Sequence, residues 1–481
     1  MAWCARSRSR TRSAPRRSWT PGAVAFQIPD VIFQVLAGAT MGSAFIPVFA
    51  RLAKNEGEER AWRLASAVLT TVTTATAILC LLGFILAPVL VPVLAPGLGE
   101  DIGRRDELVA EAVSLTRLML LSPLLFSMSG MVTGILNARQ HFLLPAIAPM
   151  LYNLAIIFGA MVLAEPFGVQ GLSYGVIGGA ALHLGVQVPG LVRHRMRFRP
   201  RFDWADSATR EVARLMGPRI IGLGAVQANL FVTIFFASKV ASGAINVMNY
   251  AFIISQLPLG IFGMALATAA FPRLAEQVAE GNLQALQDTV SRVLRMILFL
   301  TVPTAIGLAL LREPVTVFLL QGGAFTSADS VLVATALGWY CLGIVPQAGV
   351  EIHSRGFYAL GDTRTPVAMT VVSLLTNLVL AWLLWERFEY AGLGFAVSAA
   401  AWMEWGLLYA LYVRRTGASP APDLRVGARI ALAAGVMAVG VALARRAVRR
   451  RGPDRRAGGD GGPRRRGSGA LCRGRAEHRR R

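Results

Sequence analysis

The chain has few cysteines and few charged residues for its length. Four cysteines occur in 481 residues, at Cys4, Cys80, Cys341 and Cys472, and their spacing matches neither a metal-binding motif nor a disulfide framework. Charged residues make up 16% of the sequence and hydrophobic residues 54%. This composition argues against an ordinary soluble domain.

Sequence motifs of enzymes are also absent. The chain has no glycine-rich phosphate-binding loop, no metalloprotease helix motif and no Ser, His and Asp set at plausible positions. It also lacks the aspartate-rich motifs of prenyl-diphosphate chemistry. We therefore predict a protein that is not an enzyme, with no catalytic residues, no metal ligands and no cofactor.

Apolar runs fill most of the sequence instead. Many are about twenty residues long, which is the length that crosses a hydrocarbon core. We predict an all-α polytopic membrane protein with about twelve spans. The predicted segments are 24–49, 65–96, 109–136, 142–164, 168–192, 215–237, 244–270, 291–311, 331–354, 366–385, 390–412 and 427–444.

Arginine and lysine are concentrated in alternate loops between these segments. The positive-inside rule places those loops in the cytoplasm and the remaining loops, which are richer in Asp and Glu, in the periplasm. The loops assigned to the cytoplasm contain Arg51, Arg63, Arg139, the stretch 193–214, Arg273, Arg292, Arg355, Arg364, Arg414 and Arg425.

The sequence also repeats itself. Residues 44–47 return as 269–272, with Pro47 and Pro272 in register, and residues 171–176 return as 392–397. An even number of spans in each half predicts two parallel six-helix-type repeats, and substrate sites of transporters tend to lie between such repeats. The predicted organisation is an N-terminal lobe at 23–192, a cytoplasmic connector at 193–214 with a short amphipathic helix at 206–216, a C-terminal lobe at 215–415 and a partial C-terminal helix at 416–444.

The two ends of the chain differ from the rest. Residues 1–22 contain six arginines and no acid, and residues 445–481 contain fifteen arginines against three acids. One interpretation is a pair of disordered basic tails on the cytoplasmic side. The other is a frame error that replaced real sequence at both ends, and the abrupt change of composition favours it. The basic charge belongs to these ends and not to the membrane body, so we expect no nucleic acid partner.

Polar side chains inside the apolar segments are candidates for function, because a polar group at membrane depth must be compensated. His183 and Glu404 fall at equivalent positions of the two repeats, so a pair across a cavity is conceivable. Glu351 lies near a cytoplasmic helix end, where an interfacial cluster with His353 and Arg355 is an alternative. Buried amides also hydrogen-bond neighbouring helices as part of ordinary packing. The candidates for a substrate cavity are Asp30, Gln34, Gln227, Asn229, Asn249 and Gln256, and those for ion coupling are His183, Glu351 and Glu404.

Four stretches, at 25–53, 134–153, 216–275 and 355–367, resemble the MurJ/MviN family of lipid II flippases within the MOP exporter superfamily. The resemblance implies a MATE-like fold of fourteen helices, with two six-helix lobes and two further C-terminal helices around a cavity that opens alternately to each side. It implies a location in the bacterial cytoplasmic membrane. The implied substrate is the undecaprenyl-diphosphate-linked disaccharide pentapeptide, and the implied partners are membrane lipid and cell-wall synthesis proteins.

The chain departs from the family pattern at four places. The family begins with an arginine-bearing helix where this chain has the basic segment 1–22, so we expect that helix to be missing or frame-shifted, as well as the last helices. Phe33 and Gln34 stand where the next helix usually has an arginine, and Phe252 and Ile253 stand where an Asp-Arg pair is usual. Two alternatives therefore stay open. One is an exporter of another amphiphile or drug, coupled through Asp30 or Glu404, and the other is a non-transporting membrane scaffold.

Overall fold

The computed structural model describes residues 20–36, 39–193, 198–241, 243–322, 325–419 and 421–451. Most of the two basic end segments therefore lies outside the described residues. The described part is almost entirely helical. The first half contains α1 (Thr20–Leu36), α2 (Ala39–Asn55), α3 (Glu58–Leu94), α4 (Arg105–Met119), α5 (Leu121–Ala138), α6 (Leu143–Phe158), α7 (Ala164–Phe167), α8 (Val169–Gly185) and α9 (Val188–Arg193).

The second half begins at the connector and is built from longer helices. A π-helical segment, Leu259–Met264, joins two of them, and a similar segment, Gly159–Leu163, joins α6 to α7 in the first half. The helices of the second half are α10 (Ser207–Val240), α11 (Ala244–Pro258), α12 (Ala265–Ala279), α13 (Leu283–Leu310), α14 (Arg312–Leu320), α15 (Ser327–Ala359), α16 (Arg364–Thr416) and α17 (Ala421–Arg451).

The helices coincide with the predicted membrane segments. Ten helical stretches of the described residues are long and apolar enough to cross a membrane. One of them, α16, holds two of the predicted segments, because its backbone departs from helical geometry at Glu389. The first predicted segment is divided between α1 and α2. The all-α polytopic fold class is therefore confirmed.

Two predicted boundaries are wrong. The connector has no separate amphipathic helix at 206–216, because α10 begins at Ser207 and continues without interruption to Val240. The carboxylate of Asp206 accepts a hydrogen bond from the backbone N–H of Thr209 (3.3 Å) and so caps the start of this long helix. At the other end, α17 continues to Arg451 and not to residue 444, since Ala, Val and Arg all permit helix.

The internal repeat is visible in backbone detail. Gly168, at φ 59° and ψ −136°, and Glu389, at φ 45° and ψ −124°, have the same unusual conformation at equivalent positions. Three residues later, a Cβ atom on Gly171 or on Gly392 would collide with the backbone carbonyl of the residue eight positions earlier. Both repeats thus make the same tight corner between two antiparallel helices. At the positions of Gly171 and Gly392, only glycine fits, because it has no Cβ atom.

The buried residues that the structure describes form one large core shared by both lobes, two separate cores and a smaller cluster around Leu115 and Met119 in the first lobe. The shared core joins both lobes at the predicted periplasmic end and contains Leu98 and Leu108 of the first half with Ile245 and Leu337 of the second. At the opposite end, each lobe has its own core, around Phe49 in the first half and around Leu286 in the second. The lobes therefore share a core on the predicted periplasmic side, whereas on the cytoplasmic side the core of the first lobe also includes Ala208, Val212 and Met216 of α10.

Candidate functional site

A polar cluster lies where the two lobes meet, partway across the membrane. It is formed by α1 of the first lobe and α10 of the second, which contact each other. The Nε2 of Gln34 donates a hydrogen bond to Oδ2 of Asp30 (3.0 Å), one helical turn away. Gln227 of α10, which is only 3% exposed, also lies beside this carboxyl group. The structure thus brings together three of the predicted cavity residues.

Gln227 retains an unused donor. Its buried Nε2 makes no well-formed hydrogen bond to an acceptor among the residues that the structure describes, although the Asp30 carboxyl group is close by. A buried amide without a partner costs free energy on the order of 1–3 kcal/mol. A bound ligand that accepts this hydrogen bond would recover that cost.

Aromatic side chains form one wall beside this cluster. Tyr152 of α6 lies within electrostatic range of Asp30, and its ring packs edge-to-face on that of Phe126 (4.9 Å between centroids). Phe126 also contacts the rings of Phe33 (4.8 Å) and His183 (5.4 Å). The arrangement offers a carboxyl group and amides next to aromatic rings, which suits a ligand with hydroxyl and amide groups.

Asn229 is engaged in helix packing. Its Oδ1 accepts a hydrogen bond from Nδ2 of Asn377 (2.6 Å), a residue of α16 that is 1% exposed. This bond joins α10 to α16 within the second lobe. It is the kind of interhelical amide contact that stabilises membrane bundles, so the geometry favours the packing alternative for Asn229.

Asn249 and Gln256 share one face of α11. Asn249 is exposed and Gln256 is half-buried, and the exposed Ile253 lies between them on the same face. The opposite face of α11 is buried in the shared core through residues such as Met248 and Ile254. α11 also contacts α1, and these two amides lie on the face of α11 that is turned away from its buried core.

His183 and Glu404 do not form the conceivable pair. His183 Nδ1 lies 2.6 Å from Oγ of Ser129 on α5, and Gln187 donates to the same Ser129 Oγ (2.8 Å), so the histidine belongs to a network inside the first lobe. In the second lobe, Glu404 Oε1 accepts a hydrogen bond from Thr370, which lies in the segment of α16 before the bend at Glu389 (2.8 Å). Each polar group therefore has a hydrogen-bond partner within its own lobe, so no pair across a cavity is needed to satisfy it.

Glu351 is part of a cluster at a helix end. Its carboxylate forms an ion pair with Arg355, one turn later in α15, and Arg355 also donates to Oγ1 of Thr268 (2.9 Å). The neighbouring His353 is buried against the rings of Tyr409 and Trp405. This geometry matches the interfacial cluster, in which Glu351 is neutralised by Arg355.

The sequence prediction omits two polar groups at membrane depth. Gln187, which is fully buried, accepts a hydrogen bond from Thr133 (2.9 Å) in addition to its bond to Ser129. Arg117 lies inside the second half of α4. Both lie within predicted spans, so the presence of a strongly polar residue in an apolar run is the sequence signal that could have identified them. Among the described residues, no group of three or more His, Cys, Asp or Glu side chains is placed to bind a metal ion.

Comparison with known proteins gives one consistent family. Residues 23–451 match the model of the family described as "Lipid II flippase MurJ". A probable lipid II flippase MurJ of Rhizobium tropici is 31% identical over 397 residues, which cover 81% of this chain and 74% of the relative. The lipid II flippase MurJ of Burkholderia cenocepacia is 29% identical over 423 residues, which cover 85% of this chain and 81% of the relative.

Solved structures show a similar fold. A lipid II flippase MurJ in an inward closed conformation has a TM-score of 0.76 at 21% identity, covering 89% of this chain and 87% of that one. An inward-facing multidrug resistance transporter of the MATE family, within the MOP superfamily, has a TM-score of 0.68 at 14% identity, covering 84% of this chain and 91% of that one. These likenesses agree with the two-lobed architecture.

Proposed function

Because the chain belongs to the lipid II flippase MurJ family, we propose that it translocates lipid II across the bacterial cytoplasmic membrane by alternating access. It is a multi-pass membrane protein, and its substrate is the undecaprenyl-diphosphate-linked disaccharide peptide. The sugars, peptide and diphosphate of this lipid cannot cross hydrocarbon unaided, since the loss of hydration is too costly. A protein that carries them needs a polar cavity between two lobes that can open to either side.

The observation that carries this proposal is the family match over residues 23–451. The distribution of the cores supports the mechanism. One shared core joins the lobes at the predicted periplasmic end, and at the cytoplasmic end the main cores lie around different residues, with α10 reaching from the second half into the core of the first. This arrangement is compatible with a carrier that receives its substrate from the cytoplasmic side.

The cluster of Asp30, Gln34 and Gln227 is the proposed contact site for the polar headgroup. Its unused amide donor at Gln227 suits a sugar hydroxyl or a peptide carbonyl oxygen. The exposed Asn249 and the half-buried Gln256 of α11 are further candidates for this contact. The cluster holds a carboxyl group and no cation, so in this proposal it binds the sugar and peptide part and not the diphosphate.

A second candidate function is export of another amphiphile. The observation that favours it is the Asp30 carboxyl group, which accepts a hydrogen bond from the Gln34 amide, lies beside Gln227 and sits at the lobe junction. A carboxyl group at that place suits a cationic substrate or a coupling cation. The MATE-like fold is compatible with both functions.

Growth of a host depleted of its own lipid II flippase tests the proposal. The full chain is expected to restore growth, and Gln227→Leu is expected to reduce the restoration strongly because it removes the free donor without changing size much. Asn153→Leu is the matched control, since the Nδ2 of Asn153 donates to the carbonyl of Pro149 in its own helix (2.8 Å). Failure of the inserted chain to restore growth contradicts the substrate assignment. Drug resistance that depends on Asp30 would then favour the exporter.

A further inference from the structure

A groove runs along the outer surface of the first lobe, between α3 and α4. Its volume is about 860 Å³, and it is lined mainly by apolar side chains together with one arginine. The exposed face of α3 beside it carries Ile85, Val89 and Val93, each of which is 60–62% exposed. In a membrane-spanning helix, such a face contacts lipid. The lining used below consists of Phe84, Pro88, Val109, Ala110, Arg117 and Leu121.

Arg117 is held in this groove by a backbone carbonyl group that a proline leaves without its usual helical hydrogen bond. Its Nε donates a hydrogen bond to the backbone carbonyl of Phe84 (3.1 Å), and its guanidinium carbon lies 4.9 Å from the centre of the Phe84 ring. In a regular helix, that carbonyl accepts from the N–H four residues later. Here the residue is Pro88, which has no N–H, so the proline leaves an acceptor that Arg117 fills.

The rest of the guanidinium has no partner. Within the described part of the chain, Arg117 forms no ion pair and donates no hydrogen bond other than the one to Phe84. Its two terminal nitrogens, Nη1 and Nη2, therefore keep four N–H donors free. An unpaired positive charge at membrane depth is costly, and it normally finds an anion or reaches the headgroup region.

The position of Arg117 allows it to reach a lipid phosphate. Glu111, the last charged residue before it in α4, is six residues earlier, or about 9 Å along the helix. Helical side chains lean toward the N-terminus of their helix, which for α4 is the end assigned to the periplasm. The long arginine side chain thus extends from the hydrocarbon toward the outer headgroup layer.

We propose that this groove binds one phospholipid of the outer leaflet. The phosphate oxygens accept hydrogen bonds from Nη1 and Nη2 of Arg117, the bidentate geometry that guanidinium groups prefer. An acyl chain lies along Pro88, Val109 and Leu121. Asp106 also lines the groove and is eleven residues before Arg117, at the outer end of the groove. In this proposal, it faces the part of the headgroup that lies beyond the phosphate. The proposal is independent of which substrate the protein carries.

Native mass spectrometry of the purified full chain, with phosphatidylethanolamine as the probe, measures the bound lipid directly. The wild-type protein is expected to retain one phospholipid more than Arg117→Gln, with an apparent affinity about tenfold higher, because the variant loses the charge-assisted bonds. Glutamine can still donate to the Phe84 carbonyl. Arg105→Gln is the matched control, because Arg105 is exposed, pairs with Glu100 and lies outside this groove, and it is expected to behave as the wild type.

Two further variants separate lipid binding from a bracing role of Arg117. Pro88→Ala supplies the missing N–H to the Phe84 carbonyl and is expected to keep the lipid. Ala110→Trp fills the groove without changing its charge and is expected to lose the lipid, which gives a test even if Arg117→Gln does not fold. Full lipid retention by folded Arg117→Gln, or by Ala110→Trp, would overturn the proposal and leave Arg117 as a brace between α3 and α4.

Discussion

Glu389 has a backbone conformation that suits glycine. Its φ of 45° and ψ of −124° place it in a region that residues with a Cβ atom rarely adopt, at a cost of about 1–3 kcal/mol. At the equivalent corner of the first repeat, the residue is Gly168. The two lobes thus solve the same turn with different residues, and the second lobe holds strain that the first avoids.

We expect Glu389→Gly to raise the free energy of unfolding by about 1–2 kcal/mol, because it relieves this strain. Thermal unfolding of the detergent-solubilised chain measures the effect. Glu389→Ala removes the same carboxylate but keeps a Cβ atom, so it should give little of the gain. Gly168→Ala should be destabilising by a similar amount, although its Cβ would meet no neighbouring atom. Equal stability of the glycine and alanine variants at 389 would contradict the conformational explanation.

The candidate residues were predictable as polar groups at membrane depth, but their partners were not. Asp30, Gln34 and Gln227 come together because α1 and α10 cross, and nothing in the local sequence specifies that crossing. For the same reason the sequence cannot separate Asn229, whose amide is bonded to Asn377, from Gln227, whose amide is free. Burial in a membrane does not by itself distinguish a binding group from a packing group.

At the scale of helices, Asp362 ties the loop after α15 to both ends of α16. Its carboxylate accepts hydrogen bonds from the backbone N–H of Arg364 (3.0 Å) and of Thr365 (3.1 Å) at the start of that helix, and it pairs with Arg415 near the far end. Burial alone would raise the pKa of Asp362, but the bonds from Thr365 and Arg364 and the charge of Arg415 outweigh it, so its pKa is lowered from 3.8.

We expect Asp362→Asn to lower the free energy of unfolding by about 1 kcal/mol at neutral pH, since the neutral amide keeps part of the cap but loses the charge. A lowered pKa means that the folded state favours the carboxylate, so the stabilisation is present above the ordinary value and is lost as the pH falls through the folded value. Unfolding measured at several pH values should show the difference between wild type and variant shrinking only below about pH 4. A difference that persists in acid would contradict this account.

The lengths of apolar runs located the long membrane-spanning helices well, because a membrane demands a run of nearly fixed length. They did not predict α14, which lies between two predicted segments, or the division of the first segment into α1 and α2. What they could not reveal is how helices continue beyond the bilayer. The polar stretch before residue 215 was expected to form its own short helix, but Ala208 and Val212 pack into the core around Phe49, so α10 extends there as one rigid helix. Polarity of a stretch indicates where the membrane ends and not where the helix ends.

At the scale of the whole molecule, the two lobes are in close contact at Gly97. The backbone N–H of Gly97 donates to Oγ of Ser238 in the second lobe (3.2 Å), and a Cβ atom on Gly97 would collide with the backbone of Ser238. Leu98 next to it is buried in the shared core. This contact holds the two lobes together at the predicted periplasmic end, and its closeness requires glycine.

We expect Gly97→Val to prevent this contact and to shift the molecule toward a state open to the periplasm. Spin labels at the exposed positions Glu100 and Ala328, in a chain whose native cysteines are replaced, should show an increased interlobe distance in the variant. Gly103→Val is the control, because a Cβ there would meet no neighbouring atom, although its φ is also positive. An unchanged distance distribution in Gly97→Val would show that the contact does not hold the lobes together.

The central claim is that this chain moves lipid II across the membrane. The most direct test is the fraction of lipid II that becomes accessible to an externally added lipid II-cleaving enzyme, in cells depleted of their own flippase and expressing this chain. The account predicts that the accessible fraction rises well above the depleted level with the wild-type chain, and less with Gln227→Leu at equal membrane insertion. An accessible fraction that stays at the depleted level, although the chain is fully inserted, would contradict it.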